Sequence, residues 1–234
     1  MKTGLLLGII AVSFSLSAHA KDTATFKTEK EKFSYSVGYQ LGQNLKRQKL
    51  DIDPKITAQG MQHGIGDAAP KMKPDDMRNS IQTYQQKEQE KIEVQAKKNQ
   101  ALGEAFLAEN KKKEGVTTLE SGVQYKVITE GKGKKPKSSD TVVAHYRGTL
   151  INGTEFDSSY KRNSPATFPV QGVIRGWQEV LPLMKAGSKW EVYIPSELGY
   201  GPRGTGGTIG PNEVLIFEIE LLSINESAEK KDEK

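Results

Sequence analysis

The sequence predicts an α+β chain in which helices come first and an antiparallel sheet wrapped on one short helix comes last. Three observations predict it. Phe33, Val37, Leu41 and Leu45 recur every four residues, the spacing of an amphipathic helix. The stretch from Met77 to Lys113 is overwhelmingly polar and contains no proline. From Val116 onward Gly and Pro become frequent and strict alternation replaces the helical period. Runs of helices followed by runs of strands belong to the α+β layout.

The elements follow in order. Residues 1–20 read as a secretory signal: Lys2, an apolar run from Leu5 to Leu16, then Ala18-His19-Ala20 as a signal-peptidase site. The apolar run falls short of the ~20 residues a spanning helix needs, although a retained N-terminal anchor is the alternative reading. Cleavage after Ala20 would leave a mature chain with no transmembrane segment, exported across the inner membrane. The chain has no cysteine, so no disulfide framework is available to an exported protein. Lys and Arg number 34 against 29 acids, for a formal net charge of +5. That excess is interspersed with acids and poor in aromatics, which argues for a solvated surface and no nucleic-acid partner.

Residues 21–72 read as a small helical module. Asp53-Pro54 supplies an N-cap and a proline suited to the first helical position of a second helix carrying Ile56 and Met61. So short a module has little interior of its own, and pairing with a second copy would provide one, which predicts a homodimer. Met61, Met72 and Met77 are adaptable packing candidates. Residues 73–115 read as a long connecting helix opened by Pro74-Asp75-Asp76, with Lys111–Lys113 favouring its negative end and Gly115 as the stop. A helix polar all round bridges domains through solvent, and Gly103 is where it would bend. A long coiled coil is the rival, but no heptad seam runs through its middle.

Residues 116–225 carry the strands: Tyr125–Ile128, Thr141–Leu150, Trp190–Ile194 and Leu215–Leu221, the last placing Leu215, Phe217, Ile219 and Leu221 on one face. Asn152-Gly153 predicts a type I′ hairpin. Gly176–Met184 predicts the short helix. Residues 226–234 form a charged tail that reads as disordered.

The absences limit the chemistry. Without cysteine there is neither thiol catalysis nor a zinc–thiolate site, and no paired histidine spacing suggests any metal. His145 is the only histidine in the strand region, sits between Ala144 and Tyr146, and reads as structural. Gly199-Tyr200-Gly201-Pro202-Arg203-Gly204 matches the dinucleotide fingerprint formally, but that motif must open a helix. Here it runs into Thr205-Gly206-Gly207, and so the match is accidental. No cofactor is expected. What remains is a scattered apolar and aromatic set: Tyr146, Phe156, Phe168, Val173, Ile174, Trp177, Tyr200, Ile209 and Phe217. Composition alone would make it simply the core.

The strings around that set say more. Val142-Val143-Ala144-His145-Tyr146-Arg147-Gly148, Asn152–Ser159, Val173-Ile174-Arg175-Gly176-Trp177, Leu198-Gly199-Tyr200-Gly201 and Val214–Leu222 resemble the signatures of FKBP-type peptidyl-prolyl cis-trans isomerases, in order and at proper spacing. The whole layout is similar to the macrophage infectivity potentiator branch of Gram-negative bacteria. The resemblance implies an antiparallel half-barrel around a short helix, with an apolar cleft between them. It makes Trp177 the cleft floor and Tyr146, Phe156, Phe168, Val173, Ile174, Ile209 and Phe217 its lining. Asp157, Tyr200 and the Ile174 N–H would supply polar groups, and Arg162 would steady Asp157. Two positions depart from the family pattern: Ala166 stands where an aromatic is usual, and Thr205 where histidine is frequent.

The implied partners are proline-containing polypeptides, FKBP-family macrolide inhibitors and a second copy of the chain. The implied location is the periplasm, with outer-membrane or cell-surface association open. Two other readings compete: a binding module that grips chains without turnover, and a structural adaptor in which the dimeric arms matter most.

Overall fold

The computed structural model describes residues 26–48, 50–66 and 68–225, so the expected signal at 1–20 and tail at 226–234 lie outside the described residues. The chain divides into two compact units after Gln62.

In the first unit, α1 spans Glu29–Arg47 and has no buried residue. A capping box opens it. Glu31 N–H donates to Thr28 Oγ1 at 3.2 Å while Thr28 N–H donates to Glu31 Oε2 at 3.0 Å, so two otherwise orphaned donors are satisfied. The apolar positions that predicted this helix are exposed, Phe33 at 71% and Tyr39 at 57%. Helix α2, Pro54–Ile65, starts as expected: Asp53 Oδ1 accepts from Lys55 N–H at 2.7 Å and Ile56 N–H at 3.1 Å. It too buries no residue.

The second unit takes in the end of α2 from His63 and then α3, Pro74–Asn110, whose 37 residues reach about 55 Å at 1.5 Å per residue. It ends before the lysine triplet, and Gly115 at φ +79° turns the chain into the sheet. The sheet has seven antiparallel strands: β1 Val116–Thr118, β2 Gln124–Thr129, β3 Thr141–Leu150, β4 Glu155–Ser158, β5 Ala166–Pro169, β6 Lys189–Ile194 and β7 Leu215–Asn225. Their order is β1-β2-β6-β7-β3-β4, with β5 also on β3, so the sheet is open rather than a closed barrel. Strand β7 pairs with β3 on one side and β6 on the other. The far edge of β3 is shared by β5 at Thr141–Ala144 and β4 at Arg147–Thr149.

The alternation expected of β7 is present, with Leu215, Phe217, Ile219 and Leu221 all buried. They pack against α4, Arg175–Val180, which continues into a 3₁₀ turn at Leu181–Leu183. Gly176 permits the close approach of α4 to β6, since a Cβ there would lie 2.5 Å from Ile194 Cγ2.

Two expectations need correction. The hairpin at Asn152-Gly153 is not type I′, because only Gly153 (φ +82°) takes a positive φ. Gly153 N–H donates to the Leu150 carbonyl and Leu150 N–H to the Thr154 carbonyl, both at 2.9 Å, which makes a three-residue loop with a glycine bulge. Nor does α3 stay polar and solvent-bridging to its end: Asn99, Gly103 and Asn110 are buried. Gly103 is a close contact with the sheet unit, since a Cβ there would lie 2.7 Å from Val214 Cγ2.

Candidate functional site

Between the concave face of the sheet and α4 lies a cavity of about 370 Å³ lined by Tyr146, Phe156, Asp157, Phe168, Gly172, Val173, Ile174, Trp177, Tyr200 and Phe217. Strand alternation puts Tyr146 on the inner face of β3 with Val142, Ala144, Gly148 and Leu150. Trp177 sits one turn into α4 and is buried at the cavity floor. Its ring is met edge-on by Tyr146 at 5.5 Å, Phe168 at 5.6 Å and Phe217 at 5.2 Å between centroids. Phe156 meets Phe217 the same way at 5.4 Å. Edge-to-face packing suits the ring quadrupoles and holds each ring in place. Gly148 makes the room: a Cβ there would lie 2.5 Å from Phe156 and 2.9 Å from Phe217.

Phe156 and Asp157 are consecutive, yet both line the cavity. A regular strand would send them to opposite faces. The register between β3 and β4 shifts between Gly148↔Asp157 and Thr149↔Glu155, leaving Phe156 as the extra residue of a bulge that re-aims the pair. Ser159 anchors the far end of this hairpin. Its Oγ accepts from Tyr146 N–H at 2.7 Å and donates to the Tyr146 carbonyl at 3.1 Å. His145 points to the other side, 3.0 Å from Ser159 Oγ and stacked on Tyr160, the structural role expected of it.

A polar network occupies one rim. The Tyr146 hydroxyl donates to Asp157 Oδ2 at 2.5 Å, and Arg162 donates to Asp157 Oδ1 at 2.5 Å and to the Tyr146 hydroxyl at 2.7 Å. Ser158 N–H donates to Asp157 Oδ1 at 2.8 Å. Burial alone would raise the Asp157 carboxyl, but the hydrogen bonds from Tyr146 and Arg162 and the arginine charge outweigh it, leaving the group below the usual carboxylate range. Burial and the bond to Asp157 raise the Tyr146 hydroxyl. Asp157 is therefore a held anion and Tyr146 a held neutral donor.

Across the cavity, Ile174 precedes α4, and its carbonyl accepts from Trp177 N–H at 2.9 Å. Tyr200 stands at the mouth and is 41% exposed. The structure thus gathers nearly all the sequence-derived set around one cavity, with Arg162 joined through Asp157. Ile209 is the exception: it is buried in the core cluster and does not line the cavity. Gly172, at the end of the 3₁₀ turn Val170–Gly172, lines it without having been anticipated, since a glycine carries no apolar signal. Among the described residues no cluster of His, Cys, Asp or Glu could hold a metal.

The fingerprint-like segment behaves as its sequence implied. Gly201–Arg203 is a 3₁₀ turn followed by further turns, with no helix opening after it.

Residues 132–222 match the model for FKBP-type peptidyl-prolyl cis-trans isomerases, and residues 30–127 match that for the domain amino-terminal to them. The chain belongs to the FKBP-type peptidyl-prolyl cis-trans isomerase family. It is 46% identical to the outer membrane protein MIP of Legionella longbeachae, over 94% of this chain and 96% of that one. It is 42% identical to the peptidyl-prolyl cis-trans isomerase Mip of Coxiella burnetii, over 94% and 97%. The crystal structure of FkpA from Escherichia coli aligns with a TM-score of 0.63 at 37% identity, covering 87% of this chain and all of that one. Within this FKBP family, similarity to relatives of both names extends through the N-terminal helices as well as the sheet. Among the described residues no helix is long and apolar enough to cross a membrane.

Proposed function

We propose that the chain accelerates rotation about Xaa-Pro bonds in exported polypeptides, using residues 116–225 as the isomerase domain, and that it works as a homodimer with chaperone-like hold on its clients. The observation that carries this is the cavity itself, with Trp177 as an apolar floor and the Asp157 network confined to one rim.

The chemistry suits such a site. Rotating the bond breaks amide resonance against a barrier of about 18–20 kcal/mol, and the uncatalysed event takes tens to hundreds of seconds. Reaching milliseconds needs about 10⁴–10⁵-fold, or roughly 6–7 kcal/mol. The twisted amide has less charge separation than the planar one, so an apolar cavity favours it over water. Binding the twisted form better than either planar form is then sufficient, and neither proton transfer nor covalent bond is required. The prolyl ring would rest on Trp177 among Tyr146, Phe168, Val173 and Phe217. The Ile174 N–H and the Tyr200 hydroxyl would hold the substrate carbonyl, with Phe156 and Asp157 framing the turning end. Arg162 would keep Asp157 charged and in place. Ile209 is assigned no contact with substrate.

Residues 21–72 would form the dimerisation module and 73–115 the connecting helix, with export to the periplasm after removal of residues 1–20. The exposed apolar face of α1 supports pairing with a second copy. Two sites on linked arms raise the effective concentration for one extended client.

The deciding experiment is the isomerisation rate of a short Xaa-Pro peptide with the chain from Lys21, with and without an FKBP-binding macrolide. Acceleration abolished by the macrolide is expected. Folded protein that binds the macrolide yet gives no acceleration would reduce the cavity to a binding site. A solvent isotope effect of the size of rate-limiting proton transfer would overturn the non-covalent mechanism.

A further inference from the structure

The end of α3 touches the sheet unit beside the loop that carries Tyr200. Ala96, Asn99, Gly103, Phe106, Leu107 and Asn110 are the buried or half-buried positions of its last turns, and their spacing of three and four places them on one face. Asn99 Nδ2 donates to the Pro211 carbonyl at 2.8 Å and to Glu213 Oε1 at 3.0 Å. In return, Asn212 Nδ2 donates to the Ala96 carbonyl at 3.4 Å. Helix and loop thus clasp each other through two asparagines. The contact is close because Gly103 lies flat against Val214.

From this clasp the cavity is one hydrogen bond away. Asn212 N–H donates to the Gly201 carbonyl at 2.9 Å, and Gly201, at φ +58°, directly follows Tyr200. Asn212 itself sits at φ +53°, a region few side chains other than asparagine and aspartate tolerate. Its backbone ties the Tyr200 turn while its side chain ties the helix. The rest of the loop closes on itself, Gly204 N–H to the Gly201 carbonyl at 3.3 Å and Thr205 N–H to the Ile209 carbonyl at 3.0 Å. Tyr200 is exposed and makes no ring contact with the aromatic set around Trp177. Its place at the mouth depends on how this loop is held.

We infer that the last turns of α3 position Tyr200 at the cavity mouth, with Asn99 and Asn212 as positioning residues, so that the connecting helix is part of the frame of the substrate site and not only a spacer. The inference rests on the reading that Tyr200 contacts substrate. It gives a reason for polar residues at a buried helix face: a carbonyl on a loop can be held by an amide but not by leucine.

The test uses the chain from Lys21 carrying Asn99→Ala, read in two ways. Amide hydrogen exchange at Gly204, Thr205 and Asn212 should quicken at least tenfold, while amides in the β6–β7 ladder keep their rates. The kcat/KM for a short Xaa-Pro peptide should fall three- to tenfold. On a Tyr200→Phe background the same substitution should add less than twofold, because both changes act through one group. Tyr125→Ala is the comparison, since Tyr125 stacks on Trp190 at 4.4 Å and neither residue lines the cavity or belongs to α3. It should lower the melting temperature and leave kcat/KM within twofold. Unchanged loop exchange in Asn99→Ala, or effects of Asn99→Ala and Tyr200→Phe that simply multiply, would overturn the inference. Faster loop exchange in a protein whose wild type does not accelerate isomerisation would uphold the positioning and sink the isomerase reading instead.

Discussion

Helix α1 and strand β7 show the same kind of pattern, an apolar residue at every expected interval, and come to opposite ends. In β7 the patterned residues are buried under α4 within the chain's own sheet. In α1 they face outward, and no residue of the helix is buried. Patterning says which face must be covered, but not what covers it. The sheet unit finds its cover in its own sequence. The N-terminal helices do not, and a second copy of the chain is the cover the proposed dimer supplies.

The largest effect that could break this contrast is in the sheet core. Ile219→Ala removes a fully buried side chain and should cost about 2–5 kcal/mol in urea unfolding of the full chain. Phe33→Ala, at a residue 71% exposed in the single chain, would cost almost nothing if α1 worked alone. A loss of more than about 1 kcal/mol that depends on protein concentration would instead locate Phe33 between two copies.

A charge on that face gives the next effect. Val37→Asp should shift the sedimenting species from dimer to monomer while leaving the isomerisation rate of a short peptide unchanged. Slower turnover of the short peptide in the monomer would mean that the two regions are not separable in function, and the contrast would fail.

Strand β7 was legible in the sequence because alternation over Leu215–Leu221 has one simple reading. The docked end of α3 was not. Its docked face carries only Phe106 and Leu107 as large apolar residues beside Ala96, Asn99, Gly103 and Asn110, too few to set a seam, and its hydrogen bonds run from amides to carbonyls and a carboxylate far along the chain or within the helix. The cavity residues were legible through the signature strings, not through their physics, because a buried aromatic on a strand reads as core. The bulge at Phe156 and the glycine bulge at Gly153 depend on register, which tertiary pairing sets.

The rim network sharpens the comparison through pH. The Asp157 carboxyl is held below its ordinary value near 3.9. A depressed carboxylate contributes stability above the unfolded value and loses it as pH falls through the folded one. The half-exposed Asp157–Arg162 pair makes that contribution small. Turnover should therefore stay level from pH 8 to pH 5. A fall already near pH 6 would show that Tyr146 and Arg162 do not hold the carboxylate, whereas Arg162→Ala should bring the acid limb upward.

The smallest effects come from two glycines that contrast the regions most directly. Both sit in helix interiors, where alanine is favoured over glycine by up to about 1 kcal/mol. At Gly103 an added Cβ collides with Val214 at 2.7 Å, so the gain is opposed by an overpacking cost of about 1–3 kcal/mol and Gly103→Ala should lower the melting temperature. At Gly38 in α1 nothing lies within 4 Å of the added Cβ. Gly38→Ala should then raise the melting temperature slightly if its side of α1 faces water in the dimer. If the substitution weakens the dimer instead, Gly38 lies where two copies approach, and the open space beside it is space the second chain fills.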